Sequence, residues 1–317
     1  MSDALAASIL EPGAVPRPLV IGVGEVLWDL LPDGRQLGGA PANFAYHAQA
    51  LGADSLVISR VGDDALGREI LERLAGLGMR TDGITTDPDA PTGTVGVALD
   101  VGGKPTFTIY QDVAWDFIAP SARVLRETQH AAAVCFGTLA QRHPVSRGAI
   151  QAVLAAAPPS ALRVFDINLR QHYWSRELIL EALALSDVLK INDEELAEMA
   201  NMLDWSDHPI RLLRRLAETF GLKAVALTKG AAGSELLIGD ELWYQPGSRL
   251  AIVDTVGAGD SYTAALTLGM LAGDPPDVIL ESAHRLAEYV CTQPGAMPRI
   301  PPFVRGNAAG PDARIIP

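Results

Sequence analysis

The feature that most limits what this chain can fold into is an alternation. From Pro18 onward, short β-branched apolar runs alternate with longer stretches whose apolar residues recur at helical spacing. Residues 19–23, 56–59, 134–136, 163–166, 188–191 and 224–227 are expected strands, and 250–253 is strand-like. Residues 41–51, 64–75, 146–156, 177–185, 210–220, 257–271 and 278–290 are expected helices. The first of these opens on Pro41 and stops before Gly52, the proline-in, glycine-out punctuation of a helix. Strand–helix–strand repetition implies a parallel sheet covered on both faces. The pattern breaks at 94–99 and 106–110, two strand-like runs joined by Gly102-Gly103 with no helix between them. That hairpin is expected to be a lid, an oligomer contact or a plain extension of the sheet. A second hairpin is expected at 234–238 and 242–244.

Composition excludes several function classes. The chain has 317 residues, 48% of them hydrophobic, which is ample for a buried core. A net charge of -13 repels nucleic acid and anionic membrane, so neither is an expected partner. It would repel a nucleotide too, so a phosphate site has to be built locally from backbone N–H groups, a helix N-terminus or a metal ion. Cys135 and Cys291 lie far apart and read as reduced thiols of a cytoplasmic protein. No apolar run reaches the roughly 18 residues of a membrane span, and no basic residue precedes the short apolar stretch near the N-terminus. Residues 1–17, rich in Ala and Pro, read as a flexible tail, 18–305 as the folded domain and 306–317 as a C-terminal tail.

Two common nucleotide motifs fail. Gly22-Val-Gly24 begins like a dinucleotide fingerprint, but Leu27 occupies the third glycine position and no clean helix follows. No G-x-x-x-x-G-K-[ST] run exists. The most informative segment is Asp254-Thr255-Val256-Gly257-Ala258-Gly259-Asp260-Ser261, a glycine-rich turn that opens a helix. The N–H groups of Gly257, Ala258 and Gly259 would converge at a helix N-terminus, where developing phosphoryl charge is stabilised. Asp260, in the first turn, could accept a hydroxyl proton beside that site, or could simply stabilise the helix N-terminus. Asp254 could equally be a turn residue.

This segment resembles the C-terminal signature of the PfkB (ribokinase-like) carbohydrate kinases. Gly38-Gly39-Ala40-Pro41-Ala42-Asn43-Phe44-Ala45 resembles the same family's N-terminal signature, and the two occur in the family's order. The resemblance covers residues 18–300. It implies an α/β fold: a ribokinase-like α/β/α sandwich with a central, mostly parallel sheet and a small β lid, contributed by about 26–38 and 92–112. It implies transfer of a phosphoryl group from ATP to a sugar hydroxyl, with Asp260 as general base. Asn192-Asp-Glu-Glu195 fits the family's N-x-x-E motif, tied to Mg²⁺ and phosphate, although Asn192 and Glu195 could also form a helix capping box. Asp166-Ile-Asn168-Leu-Arg170 resembles the D-x-N-x-R run of fructokinase-like members. Arg170 could stabilise the transferring phosphate or pair with a surface carboxylate. Thr228-Lys-Gly230 resembles a nucleotide-side turn, with Lys229 itself a solvated charge.

Gly24-Glu25-Val-Leu-Trp28-Asp29 resembles the opening of bacterial fructokinases. Asp29 can accept hydrogen bonds from adjacent sugar hydroxyls, and Asn43 can both donate and accept, or cap its own helix. Gly38 and Gly39 allow a hinge or close approach to sugar. Tyr110 and Asn168 complete the expected sugar contacts. Phe107, Tyr110 and Trp115 could pack on sugar or form a dimer seam. Gln141-Arg142 resembles a fructokinase-like run without an assigned role. A K⁺ site is expected near Asp254, Cys291 and Gly295, held mainly by backbone carbonyls. Fructose is the expected acceptor. 2-Keto-3-deoxygluconate, ribose or a nucleoside is the alternative within the class, and a non-catalytic binding regulator the alternative outside it. A homodimer through the lid is a family-level expectation.

Overall fold

A computed structural model describes residues 17–31, 34–99, 105–305 and 314–316. In chain order its strands and helices begin β1 (Leu19–Val23), β2 (Leu27–Leu31), β3 (Gly34–Gly38), α1 (Ala40–Ala50), β4 (Asp54–Gly62), α2 (Ala65–Gly76), β5 (Ile84–Asp87), β6 (Thr94–Leu99) and β7 (Pro105–Ile109). They continue α3 (Ala122–Thr128), β8 (Ala131–Phe136), α4 (Pro144–Ala156), β9 (Leu162–Asp166), α5 (Arg176–Ala184), β10 (Val188–Asn192), α6 (Asp193–Met202), α7 (Pro209–Phe220) and β11 (Ala224–Thr228). The last are β12 (Ser234–Ile238), β13 (Glu241–Gln245), α8 (Ala258–Ala272), α9 (Pro276–Cys291), α10 (Pro302–Arg305) and β14 (Arg314–Ile316).

The main sheet has ten strands in the order β14-β13-β12-β11-β10-β9-β8-β1-β4-β5. From β11 to β5 every pair is parallel, and β12, β13 and β14 add an antiparallel edge. The chain works outward from β1 through β4 to β5, then restarts at β8 on the other side of β1 and works outward to β11. The strand order therefore reverses at β1/β8. In open α/β sheets, ligands bind outside the carboxyl ends of the strands at such a point.

Both faces of the sheet are buried. Ile21, Val23, Leu56, Ile58, Phe136 and Phe165 face one apolar cluster with residues of α4, α5 and α7. Val20, Ala133, Cys135 and Val164 face the other, with α8 and α9. Period-two alternation thus buries both sides of each strand, as a parallel sheet requires. Helix α8 lies between α1 and α9. Its residues from Ser261 to Thr267 are all buried, so its N-terminus is held from every side.

The four-stranded second sheet, in the order β3-β2-β6-β7, is separate from the first and resolves the expected hairpin as part of a lid. Strand β2 fastens the lid to the body. Trp28 is fully buried against α1 and α2, donates Nε1–H to the Leu66 carbonyl at 3.1 Å, and carries the guanidinium of Arg73 at 5.4 Å from its ring. The next residue, Asp29, consequently faces the other way.

The expected strand at 250–253 does not form. Ile252 and Val253 are 61% and 63% exposed, and the N–H groups of Val253 and Asp254 donate to the Cys291 carbonyl rather than to a sheet edge. β-Branched composition cannot make a strand where no partner edge is free. Strand β5, not foreseen in the sequence, extends the sheet beyond β4, and helix α3, also not foreseen, packs on α4. The Gly102-Gly103 turn, residues 1–16, and 306–313 with 317 lie outside the described residues, so the expected tails are described only at Arg17 and at β14, which pairs with β13.

Candidate active site

An open cleft of about 1450 Å³ runs between the lid and the carboxyl ends of the main strands. Single small-ligand sites are roughly 300–1,000 Å³, so this one has room for two molecules side by side.

At its floor, the segment Asp254–Gly259 turns into α8. Gly257 is the N-cap, at φ 79°, and a Cβ there would come within 2.7 Å of the Ala296 backbone. Only glycine satisfies both the left-handed backbone and the close approach. The Ala258 N–H closes the turn onto Thr255 O at 3.3 Å, while the remaining first-turn N–H groups point outward as in any helix start. Asp260 sits in that first turn and lines the cleft. Asn43 Nδ2 of α1 donates to its Oδ2 at 2.7 Å, leaving Oδ1 for another donor. Asn43 makes no cap bond of its own helix. Burial pushes the Asp260 carboxyl up to about 6, Asp166 adds to the rise, and the Asn43 bond opposes it.

Beneath the turn lies a cation that the sequence reading passed over. Lys190 is buried in β10 and pairs with Asp166 of β9 at 3.1 Å. The other Asp166 oxygen accepts from Thr263 Oγ1 of α8 at 2.7 Å. A Cβ on Gly259 would lie 2.9 Å from Lys190 Nζ, so the ammonium stands directly under the glycine turn. Burial works against its charge, but Asp166, Glu195 and Asp260 outweigh it and leave its pKa raised. The signal was present: a lysine inside the apolar run Val-Leu-Lys-Ile of a strand buried on both faces must be paired.

Two further carboxyls, Asp29 and Glu25, line the lid end of the cleft. Asp29 projects from β2 against Gly38, and burial lifts it to about 6, with Arg170 opposing. Gly39, at φ 113°, packs on the Glu25 carbonyl and opens α1. Glu25 follows β1; its Oε1 accepts the Ala40 N–H at 3.3 Å, and burial pushes it up to about 7. Arg170 lines the cleft with Asn168 and donates to the Leu169 carbonyl at 3.1 Å. Among the described residues no carboxylate pairs with it. Asn168 has a left-handed backbone, φ 42°, in the loop that carries Arg170 into the cleft.

Asn192 and Glu195 form the capping box of α6. Asn192 Oδ1 accepts the Glu195 N–H at 2.8 Å, and Glu195 Oε2 accepts the Asn192 N–H at 2.9 Å. Glu195 Oε1 takes the Leu169 N–H at 3.0 Å, tying this cap to the Arg170 loop. Asn192 lines the cleft and Glu195 stands behind it. Thr228 and Gly230 line the far end. Lys229 is not a free surface charge; it pairs with Glu235 and lies 5.0 Å from the Tyr244 ring centre. Asp254 accepts from Val256 N–H at 3.0 Å and Gly295 N–H at 3.1 Å, joining the two loops. Cys291 lines the cleft beside them, its carbonyl already taken by Val253 and Asp254.

The lid separates its aromatics. Phe107 and Ile109 of β7 line the cleft, and Tyr110 does not; its ring lies over Gly96, 48% exposed. Trp115 is a core residue, 1% exposed, not a sugar platform or seam. Arg142 accounts for this: it holds Asp116 through two bonds of 2.8 Å, donates to the Tyr110 carbonyl, and stacks between Trp115 and Tyr173. The base of the lid is thereby clamped.

A family model described as pfkB family carbohydrate kinase matches residues 34–302. A fructokinase of Klebsiella pneumoniae is 33% identical over 302 residues, covering 88% of this chain and 95% of the relative. The crystal structure of a sugar kinase from Pyrococcus horikoshii in complex with ATP superposes with a TM-score of 0.71 at 28% identity, covering 88% and 94% of the two chains. A double-mutant fructokinase from Vibrio cholerae, bound to fructose, ADP and a potassium ion, gives 0.76 at 26% identity, covering 90% and 95%.

Proposed function

Because this chain belongs to the pfkB family of carbohydrate kinases, we propose that it transfers the γ-phosphoryl group of ATP to a sugar hydroxyl, and that the acceptor is the 6-hydroxyl of fructose. The observation that carries the reaction is Asp260: a half-buried carboxylate in the first turn of α8 that lines the cleft, with one oxygen held by Asn43 and the other without a protein donor. ATP binding in the Pyrococcus relative and fructose binding in the Vibrio relative support the two ligands. The identity to the Klebsiella fructokinase supports fructose over other sugars.

Asp29 and Asn43 orient the sugar at the lid end. Asp260 Oδ1 accepts the hydroxyl proton as the oxygen attacks phosphorus. First-turn N–H groups at Gly257 and Gly259 stabilise charge on the transferring group, and Lys190 beneath them and Arg170 across the cleft add positive potential. Mg²⁺ bound with the nucleotide would supply neutralisation of phosphate charge. Among the described residues there is no cluster of three or more acidic, His or Cys side chains to hold a metal outright. Asn192 lines the cleft and would reach such a metal through water, while Glu195, with both oxygens accepting backbone N–H groups behind it, would position Asn192. Closure of the lid excludes water. The potassium ion in the Vibrio relative supports a K⁺ site near Asp254 and Gly295, checked by comparing rates in sodium and potassium. The same reading includes a homodimer through the lid, checked by sedimentation.

The test of the function is ADP release from MgATP across a sugar panel, with Asp260→Asn alongside. Fructose-dependent release abolished in the variant is the expected result. Release with another sugar moves the acceptor, and release unaffected by the substitution removes the base.

A further inference from the structure

The mechanism above leaves one buried group at the acceptor end without a task. Glu25 is 4% exposed and lines the cleft. It leaves β1 through Gly24 and turns back beneath the lid, so that Oε1 meets the Ala40 N–H at the start of α1. That contact is long, at 3.3 Å, and uses one oxygen. Oε2 is fully buried and has no hydrogen-bond partner. Leaving a buried carboxyl oxygen unpaired costs of order 1–3 kcal/mol, so a fold that keeps one there is expected to satisfy it with a ligand. Nothing in the packing requires a carboxylate, since a backbone N–H can be capped by a neutral side chain equally well.

The neighbouring atoms say which ligand. Asn43 Oδ1, on the same helix start, is also buried without a partner. One N–H of its amide is spent on Asp260, and Oδ1 is left as an open acceptor. Three of the groups left open around Glu25 (Asn43 Oδ1, the free oxygen of Asp260 and the carboxylate of Asp29) are acceptors beside the one guanidinium donor of Arg170, and they call for a molecule bearing several hydroxyls close together. The charged groups that face Glu25 are Asp260 from α8 and Arg170 from the loop after β9, and Asp29 of β2 lines the same cleft.

We propose that Glu25 is a further acceptor-positioning residue, whose free Oε2 hydrogen-bonds a hydroxyl of the bound polyol and fixes the reacting hydroxyl against Asp260. The inference rests on the sugar-kinase reading. Its position supports it in a second way: Glu25 and Asp260 are both gripped by α1, one through the Ala40 N–H and one through Asn43. A single helix start thus sets the distance between the residue that holds the polyol and the residue that takes its proton. Burial pushes the Glu25 carboxyl up to about 7, and the ionised form makes the stronger, charge-assisted bond to a hydroxyl, so sugar binding is expected to weaken as pH falls through that value.

The experiment compares wild type, Glu25→Gln and Glu25→Ala by steady-state kinetics, with sugar and MgATP varied separately between pH 5.5 and 8.5. Glu25→Gln keeps the size and the Ala40 contact, which protects the comparison if Glu25→Ala fails to fold. The expected result is a rise of about tenfold in KM for the sugar in Glu25→Gln, larger in Glu25→Ala, with KM for MgATP within about twofold of wild type. The dependence of sugar KM on pH near 7 should flatten in Glu25→Gln. Wild-type turnover with sugar KM and its pH dependence unchanged in Glu25→Gln overturns this inference and leaves the kinase reading standing. Equal rises in both KM values, with a lowered melting temperature, assign Glu25 a structural role and overturn it too. Absence of wild-type turnover with every sugar overturns both readings.

Discussion

The two ends of the cleft are built on opposite principles. At the end proposed to hold the acceptor and the transferring group, Glu25, Asn43, Lys190 and Asp166 are all at least nine-tenths buried, carried within β10, at the ends of β1 and β9 and at the start of α1. At the other end, Leu250, Ile252, Val253 and Val256 stand 37%, 61%, 63% and 42% exposed on a loop that pairs with no sheet. Burial at the first end raises three carboxyls and strengthens every hydrogen bond made there. Exposure at the second end leaves apolar surface for a flat ligand to cover, with little to fix its orientation. On the proposed function, the reacting end is preorganised and the nucleotide is held loosely.

The comparison breaks first if Asp260 is dispensable. Asp260→Asn keeps the shape and the neighbour Asn43 but removes the proton acceptor. We expect kcat to fall by about 10²–10⁴-fold, the range for loss of a general base, with KM for MgATP little changed. Single-turnover kinetics checks it. A fall below about tenfold would mean that positioning alone carries the reaction.

The next effect is on stability. Lys190→Met strands Asp166 as an unpaired buried carboxylate, retaining only Thr263 Oγ1. Breaking one side of a buried pair costs about 3–5 kcal/mol, read as a lowered denaturation midpoint in urea. The double variant Lys190→Met with Asp166→Asn should recover a large part of that loss, since no naked charge remains. Failure to recover would show that the ammonium acts on something other than Asp166.

A smaller effect concerns pH. Asp260 must be ionised to accept a proton, and its carboxyl lies at about 6, so the rate is full above that value and falls as pH drops through it. Asn43 donates to the ionised form and holds this limb down. Asn43→Ala should therefore move the acid limb of kcat toward higher pH. Glu25 and Asp29 titrate in the same range, so the limb belongs to the group of carboxyls. A limb that stays in place in Asn43→Ala would assign it to one of the other two.

How much of this was legible in the sequence follows the same division. The parallel strands and the glycine turn were readable because periodicity and glycine placement are local. The chain order, restarting on the far side of β1, was not local, and neither was the packing that turns Tyr110 away from the cleft while Phe107 faces it. Residues 250–253 read as a strand because composition reports β propensity without reporting whether an edge is free. Lys190 and Glu25 were visible as charges among apolar neighbours. Their partners, Asp166 and the start of α1, lie elsewhere in the chain, so only the fold gives them meaning.

The smallest effect tests the loose end directly. If Leu250 to Val256 supply only apolar cover, Ile252→Ser should raise KM for MgATP by about two- to fivefold and leave kcat unchanged. The reasoning is one of area: a side chain already mostly exposed buries only part of its surface against a ligand, and at about 25 cal/mol per Å² that is worth about 1 kcal/mol or less. An uncharged contact of this kind binds ground state and transition state alike, so it enters KM and not kcat. Replacement of ATP by GTP should be tolerated to a similar degree, because no fixed polar group reads the base from this loop. A kcat lowered tenfold by Ile252→Ser would mean that the loop helps to seat the phosphates over Gly257 and Gly259, and that the two ends of the cleft act as one.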